Sequence, residues 1–238
     1  MMDSPLLRPV KERSTFEETF ERLATAIRLG VVEQGERLPS ERELAAQLHV
    51  SRMTLRDALQ ALAQAGYLEA KRGRSGGTVV VYDPQKRRTR TFGTVARDLG
   101  AAEVLDALAY RSIVEPGAAE LAARRHLLDD DRRRLSDAHD AVVRTTNRAN
   151  HRMADSRLHL LLAELCGSAS VAAAVAEVQG RIDELLSAIP VFERNITHSN
   201  AQHAAIVKAV LAGRPDRARA AMGTHVESTA ALLRGLLA

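Results

Sequence analysis

A single cysteine, Cys166, excludes an intrachain disulfide, and its place beside Leu165 marks it as a small buried hydrophobe with no chemistry of its own. Tryptophan is absent, and only three tyrosines and four phenylalanines occur in 238 residues, so a core must be built from aliphatic side chains and alanine. No apolar run reaches the roughly 18 residues that a membrane-spanning helix needs, and no signal-peptide pattern opens the chain, so the cytoplasm is the expected compartment and no membrane partner is expected. Charge of one sign is also scarce: residues 1–85 hold 12 basic and 12 acidic side chains, and residues 91–238 hold 18 of each. The net charge of +4 comes from Lys86, Arg87, Arg88 and Arg90 alone. Any affinity for nucleic acid must then rest on local geometry more than on net charge.

What is present is an Ala-, Leu- and Arg-rich chain, mainly α and too long for one small domain. Pro39 and Ser40 followed by Glu43 form a capping box, which predicts a helix ending near Leu48. A turn over His49 to Arg52 follows, in which Ser51 can accept the free N–H groups of a second helix running to about Ala65. Leu55, Ala58, Leu59 and Leu62 repeat at helical spacing as its buried stripe, leaving Arg52, Met53, Thr54 and Arg56 at the exposed N-terminal end. Gly66 suits a left-handed stop, Tyr67 to Glu69 a short strand, and Thr78 to Tyr82 its return. Between the strands Gly73, Arg74, Ser75, Gly76 and Gly77 make a small, basic tip able to approach a phosphate backbone or a minor groove. The pattern predicts a winged helix-turn-helix whose second helix enters the major groove of double-stranded DNA.

Leu38-Pro-Ser-Glu-Arg-Glu-Leu44, Val50-Ser-Arg52, Thr54, Leu55-Arg56 and Ala58-Leu59 closely resemble the N-terminal domain of the GntR family of bacterial transcription regulators. The likeness covers residues 16–82. It implies that Arg42, Arg52 and Arg56 contact DNA, with Ser51, Thr54, Gly73, Arg74 and Gly76 completing the interface. Met53 stands where the family often has threonine, serine or proline, which implies a different base preference.

Asp83-Pro84 ends the wing, and the basic run after it reads as a linker over residues 83–92, either a solvated hinge or a supplementary phosphate contact. The expected organisation is a DNA-binding domain over 1–82, with its core at 16–82, and a second domain over 93–238. Helical periodicity predicts seven elements there, at 92–99, 102–125, 129–150, 151–165, 170–189, 199–212 and 215–237, forming an all-helical antiparallel bundle. Gly100, Gly167 and Gly213 stop helices, while Ser170 and Pro215 start them.

Asp155 and His159, four apart on one helix face, can converge on an ion, and the turn at Gly213-Arg214-Pro215 can fold His203 and His225 back to the same point. One carboxylate and three imidazoles suit Zn²⁺, Ni²⁺, Fe²⁺ or Mn²⁺. Spacing alone does not select this set, since His126, His139, His151 and His198 are equally available and His151 is also four from Asp155. Arg111-Ser-Ile-Val-Glu115 with the alanines after it, and Asp155-Ser-Arg-Leu-His159 followed by Cys166-Gly167-Ser168, are similar to the helical effector (FCD) domain of the FadR-type branch of the same family. The resemblance implies that Asp155, His159, His203 and His225 hold a divalent transition metal, Zn²⁺ foremost, and that a small organic acid is the effector. Leu158 and Ser168 stand where phenylalanine and asparagine are common, which touches packing and a turn.

Arg111 can hold an effector carboxylate as a two-donor fork or pair internally with Glu115. The reading that follows is a ligand-responsive regulator, a repressor acting as a homodimer on a pseudo-palindromic operator. The other reading is a metal-dependent enzyme acting on a small carboxylate with a DNA-binding appendage. A catalytic metal would call for an open position and a nearby general base, and no further acidic residue is evident beside the four ligands.

Overall fold

In the computed structural model the residues described are 14–71, 77–84, 92–145, 148–189 and 193–237, and the chain divides into two compact units, 1–83 and 84–238. The first contains α1 (Thr15–Arg28), α2 (Glu41–Leu48), α3 (Arg52–Gln64), β1 (Leu68–Lys71) and β2 (Gly77–Val80). Each helix starts on a serine. Ser14 and Ser40 form reciprocal capping boxes with Glu17 and Glu43, and the Ser51 hydroxyl accepts from the Thr54 N–H at 3.0 Å. The box at Ser14 opens a helix that apolar periodicity did not single out.

His49 ends α2 in the left-handed conformation, at φ 54, and Gly66 after α3 does the same at φ 80. The two strands are antiparallel, with Leu68 opposite Val80. Residues 35–38 run along β2: the Leu38 N–H donates to Thr78 O at 3.0 Å and the Val80 N–H to Glu36 O at 2.9 Å. Leu23, Ile27, Leu44, Leu55, Leu62, Leu68 and Val80 join the three helices and the hairpin in one core. The expected wing tip, with Gly73, Arg74 and Gly76, and the basic residues Lys86, Arg87, Arg88 and Arg90 lie outside the described residues.

The second unit is helical throughout its described residues: α4 (Phe92–Leu99), α5 (Ala101–Arg124), α6 (Asp129–Arg144), α7 (Arg148–Leu165), α8 (Ala169–Ser187), α9 (Glu193–Leu211) and α10 (Pro215–Gly235). Alanines of α5 pack with Leu135, Leu158, Leu162, Val175, Ile206 and Met222 in the larger core, and Val104, Leu108, Ile182 and Leu233 form a second cluster. The bond from Arg219 to Glu120 and the approach of Gly213 to Ala123 O set α10 antiparallel to α5.

Several boundaries differ from the sequence reading, among them the start of α7 at Arg148, ahead of the expected 151. α6 stops at Arg144 instead of reaching 150, because the Thr145 hydroxyl takes the Ala141 carbonyl and Thr145 turns to an extended conformation. α9 begins at Glu193, ahead of the expected 199, through a polar stretch without apolar periodicity. Ser168, not Ser170, caps α8, its hydroxyl accepting from the Val171 N–H at 3.4 Å.

Candidate nucleic-acid interface and metal centre

At the first turn of α3, Arg52 and Met53 are exposed, and among the described residues Met53 is the most exposed large apolar side chain, at 74%. Arg42 is exposed on α2. Ser51 and Thr54 lie at the same end, their hydroxyls 2.8 Å apart. Arg56 is also exposed, yet its guanidinium is tied back to α2, with Nη2 2.8 Å and Nε 3.2 Å from Glu41 Oε2. That bond and the charge of Glu41 raise its pKa, so it is a fixed cation that braces the two helices as well as a potential DNA contact. The free N-terminal end of α3 therefore presents Arg52, Met53 and the capping hydroxyls.

In the helical unit three helices converge. Asp155 and His159 lie one turn apart on α7, His203 on α9 and His225 on α10, and all three imidazoles are buried. One nitrogen from each ring falls within 4.8 Å of the others. His203 Nε2 lies 3.3 Å from His225 Nε2. Asp155 flanks the group, with Oδ1 3.3 Å from His203 Nε2 and Oδ2 3.9 Å from His159 Nε2. Burial, the leading cause, lowers the His203 pKa to about 4 against the pull of Asp155, and it depresses His225 well below 6.5. Both rings are therefore neutral near pH 7, the form that ligates.

The far sides of the rings are held in turn. Glu115 on α5 accepts from His159 Nδ1 at 2.7 Å, from Gln179 Nε2 on α8 at 2.7 Å and from Arg111 Nε at 2.8 Å. Burial would raise its pKa, but the Arg111 guanidinium beside it and the His159 N–H that it accepts outweigh that and bring it down to about 2. A carboxylate fixed on Nδ1 places the ring proton there and turns the Nε2 lone pair toward the cluster. Gln202 does the same for His225, its Oε1 3.1 Å from Nδ1. His159 Nε2 and His203 Nδ1 are buried without a hydrogen-bond partner. A polar atom stranded in this way is costly, and a metal taking the His159 lone pair relieves one such cost. The donor set and its orientation thus fit a borderline transition ion.

Sequence reasoning placed Asp155, His159, His203 and His225 on facing helices, and the fold brings them together. His151, the alternative partner of Asp155, lies instead 3.4 Å from Asn200 Oδ1. Arg111 makes the internal pair with Glu115, and its Nη1 is buried without a partner. The expectation that no further acidic residue lies beside the ligands is corrected: Glu115 does, from 44 residues away in sequence. Gln179 and Gln202 were also missed. A glutamine between Val178 and Ile182 on a buried face was the legible signal for the first.

Residues 15–80 match the bacterial regulatory proteins of the gntR family, and residues 106–228 match the FCD domain. RmpR of Mycobacterium gastri, described as an HTH-type transcriptional regulator, is 31% identical over 225 residues, covering 94% of this chain and 81% of that protein. The HTH-type transcriptional regulator Mce2R of Mycobacterium tuberculosis is 40% identical over 149 residues, covering 58% of this chain and 60% of that protein. An Escherichia coli regulatory protein named for the L-lactate dehydrogenase operon is 30% identical, covering 91% and 85%. The solved structure of E. coli McbR/YncC shares the fold at a TM-score of 0.58 and 14% identity, covering 95% of this chain and all of that one. These domains and relatives are those of a regulator and not of an enzyme, which removes the catalytic reading. With the FCD match spanning more than half the chain, the protein belongs to the GntR family of DNA-binding transcription regulators, its second domain being of the FCD type.

Proposed function

We propose that the chain is a repressor that binds a pseudo-palindromic operator as a homodimer and is controlled by a small carboxylate at a metal-bearing FCD domain. The observation that carries the effector half is the group of three buried imidazoles, oriented from behind by Glu115 and Gln202 and flanked by Asp155. His159, His203, His225 and Asp155 would hold a divalent transition metal, Zn²⁺ before Ni²⁺, Mn²⁺ or Fe²⁺ by ligand type. Such an ion supplies a Lewis-acidic anchor for a carboxylate oxygen. The buried Nη1 of Arg111 is a further donor on the same network, its guanidinium held in place by the pair with Glu115.

On the DNA side, Arg42, Ser51, Arg52, Thr54 and Arg56 supply the head, with the wing residues Gly73, Arg74 and Gly76 contributing phosphate contacts. Arg52 and Met53 face base edges, and the serine-capped helix ends offer N–H groups to phosphate. One head covers only a few base pairs, so two heads one helical turn apart are needed for specificity. The effector acts by binding one spacing of the heads more tightly than another.

The test is fluorescence anisotropy on DNA from upstream of the gene and its neighbours, with wild type, Arg52→Ala, and wild type stripped of metal and reloaded. Sequence-specific binding lost in Arg52→Ala, and weakened by one small carboxylate only in the reloaded protein, is the expected pattern. Sequence-specific binding that no carboxylate alters in either form would remove the effector half.

A further inference from the structure

We propose that the outer face of the hairpin carries a phosphate site of its own, a recess above Gly77 where Arg37 and Lys71 together hold one phosphate of the DNA backbone. Residues 35–38, β2 and β1 lie side by side in that order, with Arg37 bridged to Val79 and Lys71 opposite Gly77. Residues that oppose each other across antiparallel strands share a face. Leu38, Leu68 and Val80 belong to the core of the unit. Arg37, Glu69, Lys71, Gly77 and Val79 therefore occupy the other face, and Val79, although buried, stands outside that core.

Gly77 makes the recess. It opens β2 at φ 139, a conformation that favours glycine, and it raises no side chain between its two neighbours. A Cβ built there would meet only Arg37 Cδ, at 3.9 Å, so the arginine stem already leans over it. Lys71 flanks it from the adjoining strand, about 5 Å away backbone to backbone. Both arms reach the same space above a bare stretch of main chain.

Charge and place select the occupant. Arg22 is paired with Glu18 and Arg56 with Glu41, whereas among the described residues Arg37 and Lys71, both exposed, have no side-chain partner. Glu69, on the same face, stands one rung farther back opposite Val79 and pairs with neither. Two like charges that converge in this way repel each other until an anion enters. Arg37 leads through Leu38 and Pro39 to Ser40, the cap of α2, and Glu41 in the first turn of α2 holds Arg56 of α3. The recess thus adjoins the head that binds DNA, where the phosphodiester is the abundant anion. A guanidinium fork and an ammonium point charge suit its two free oxygens.

This inference rests on DNA binding by the first unit and adds a contact that the reading helix does not make. It is tested by anisotropy titrations of the full chain over a range of potassium chloride, on the upstream DNA and on a random duplex of equal length. Arg37→Gln and Lys71→Gln should each weaken both duplexes alike, by about three- to tenfold at roughly physiological salt, because a phosphate carries no sequence. Far-UV circular dichroism should not change, both positions being exposed. Since the two arms serve one phosphate, the double variant should lower the slope of log K against log salt by about 0.9, the value for a single contact, and not by twice that. Arg22→Gln, which removes a cation already paired on α1, should leave slope and affinity as they are. A single methylphosphonate stepped along the upstream duplex should weaken wild-type binding at a position that the double variant ignores. A double variant that matches wild type in slope and affinity, while Arg52→Ala still loses the preference for upstream DNA, overturns the recess and keeps the reading head. A loss confined to the upstream DNA overturns the assignment to phosphate, and a wild type that binds neither duplex overturns recess and reading head together.

Discussion

Acid should destabilise the metal-free helical domain well above the pH at which its carboxylates titrate. His203 has an ordinary value of 6.5 and is held to about 4 in the fold, chiefly by burial, with the nearby His159, His151 and His139 adding to the shift. Its folded-state pKa is depressed, so between these values the unfolded chain binds a proton that the folded chain refuses. Stability is therefore lost as pH falls from 6.5 toward 4 and levels off below. For this one group the loss is about 2 kcal/mol at pH 5 and about 3 kcal/mol at pH 4, at roughly 1.4 kcal/mol per pKa unit. His225 adds in the same direction. Glu115 acts in another window: its pKa is lowered from 4.5 to about 2, so its stabilisation is complete above 4.5 and is lost only as pH falls toward 2. Urea unfolding of chelator-treated protein, followed by circular dichroism through the transition of the helical domain, should show the loss between about pH 7 and 5, and His203→Gln should reduce the slope. An unchanged midpoint over that range, or a slope that His203→Gln leaves intact, would refute the reasoning.

Three further outcomes are expected. Arg52→Ala should cost about 1 to 3 kcal/mol in operator binding with the melting curve unaltered, measured by anisotropy, and equal losses on operator and random DNA would demote Arg52 to a phosphate contact. Protein purified without chelators or a histidine tag should carry about one transition ion per chain by elemental analysis, and His203→Ala or His225→Ala should lose it while DNA binding by the first unit survives. Glu115→Gln, which preserves shape but removes the charge orienting His159, should weaken metal binding by about 10- to 100-fold in a competition titration; undiminished affinity would separate Glu115 from the site.

Local chemistry in this chain was legible where it repeats or caps. Ser40 with Glu43, Ser51, and Gly66 wrote their turns into neighbouring residues, so α2 and α3 were readable almost to the residue. The Asp155/His159 spacing was legible as a shared face, but only family resemblance joined it to His203 and His225, because helix packing and not sequence distance makes them neighbours. Glu115 escaped for the same reason. Its one apparent partner in sequence was Arg111, four residues away, and the bond to His159 exists only because α5 and α7 pack together. The tie between Arg56 and Glu41 was likewise hidden, spanning two helices whose crossing the pattern does not state.

The lone pairs of Glu115 can be counted. A carboxylate has about four acceptor positions, and here Oε1 receives Arg111 Nε and Gln179 Nε2 while Oε2 receives His159 Nδ1 and, at 3.4 Å, Arg111 Nη2. The group is saturated and fully ionised at neutral pH, with no site left to take up a proton from a visiting molecule. The acid nearest the histidines is thereby chemically mute. A molecule entering this interior meets in Glu115 a fixed orienting charge, and any proton it gives up goes to Asp155 or to a neutral imidazole.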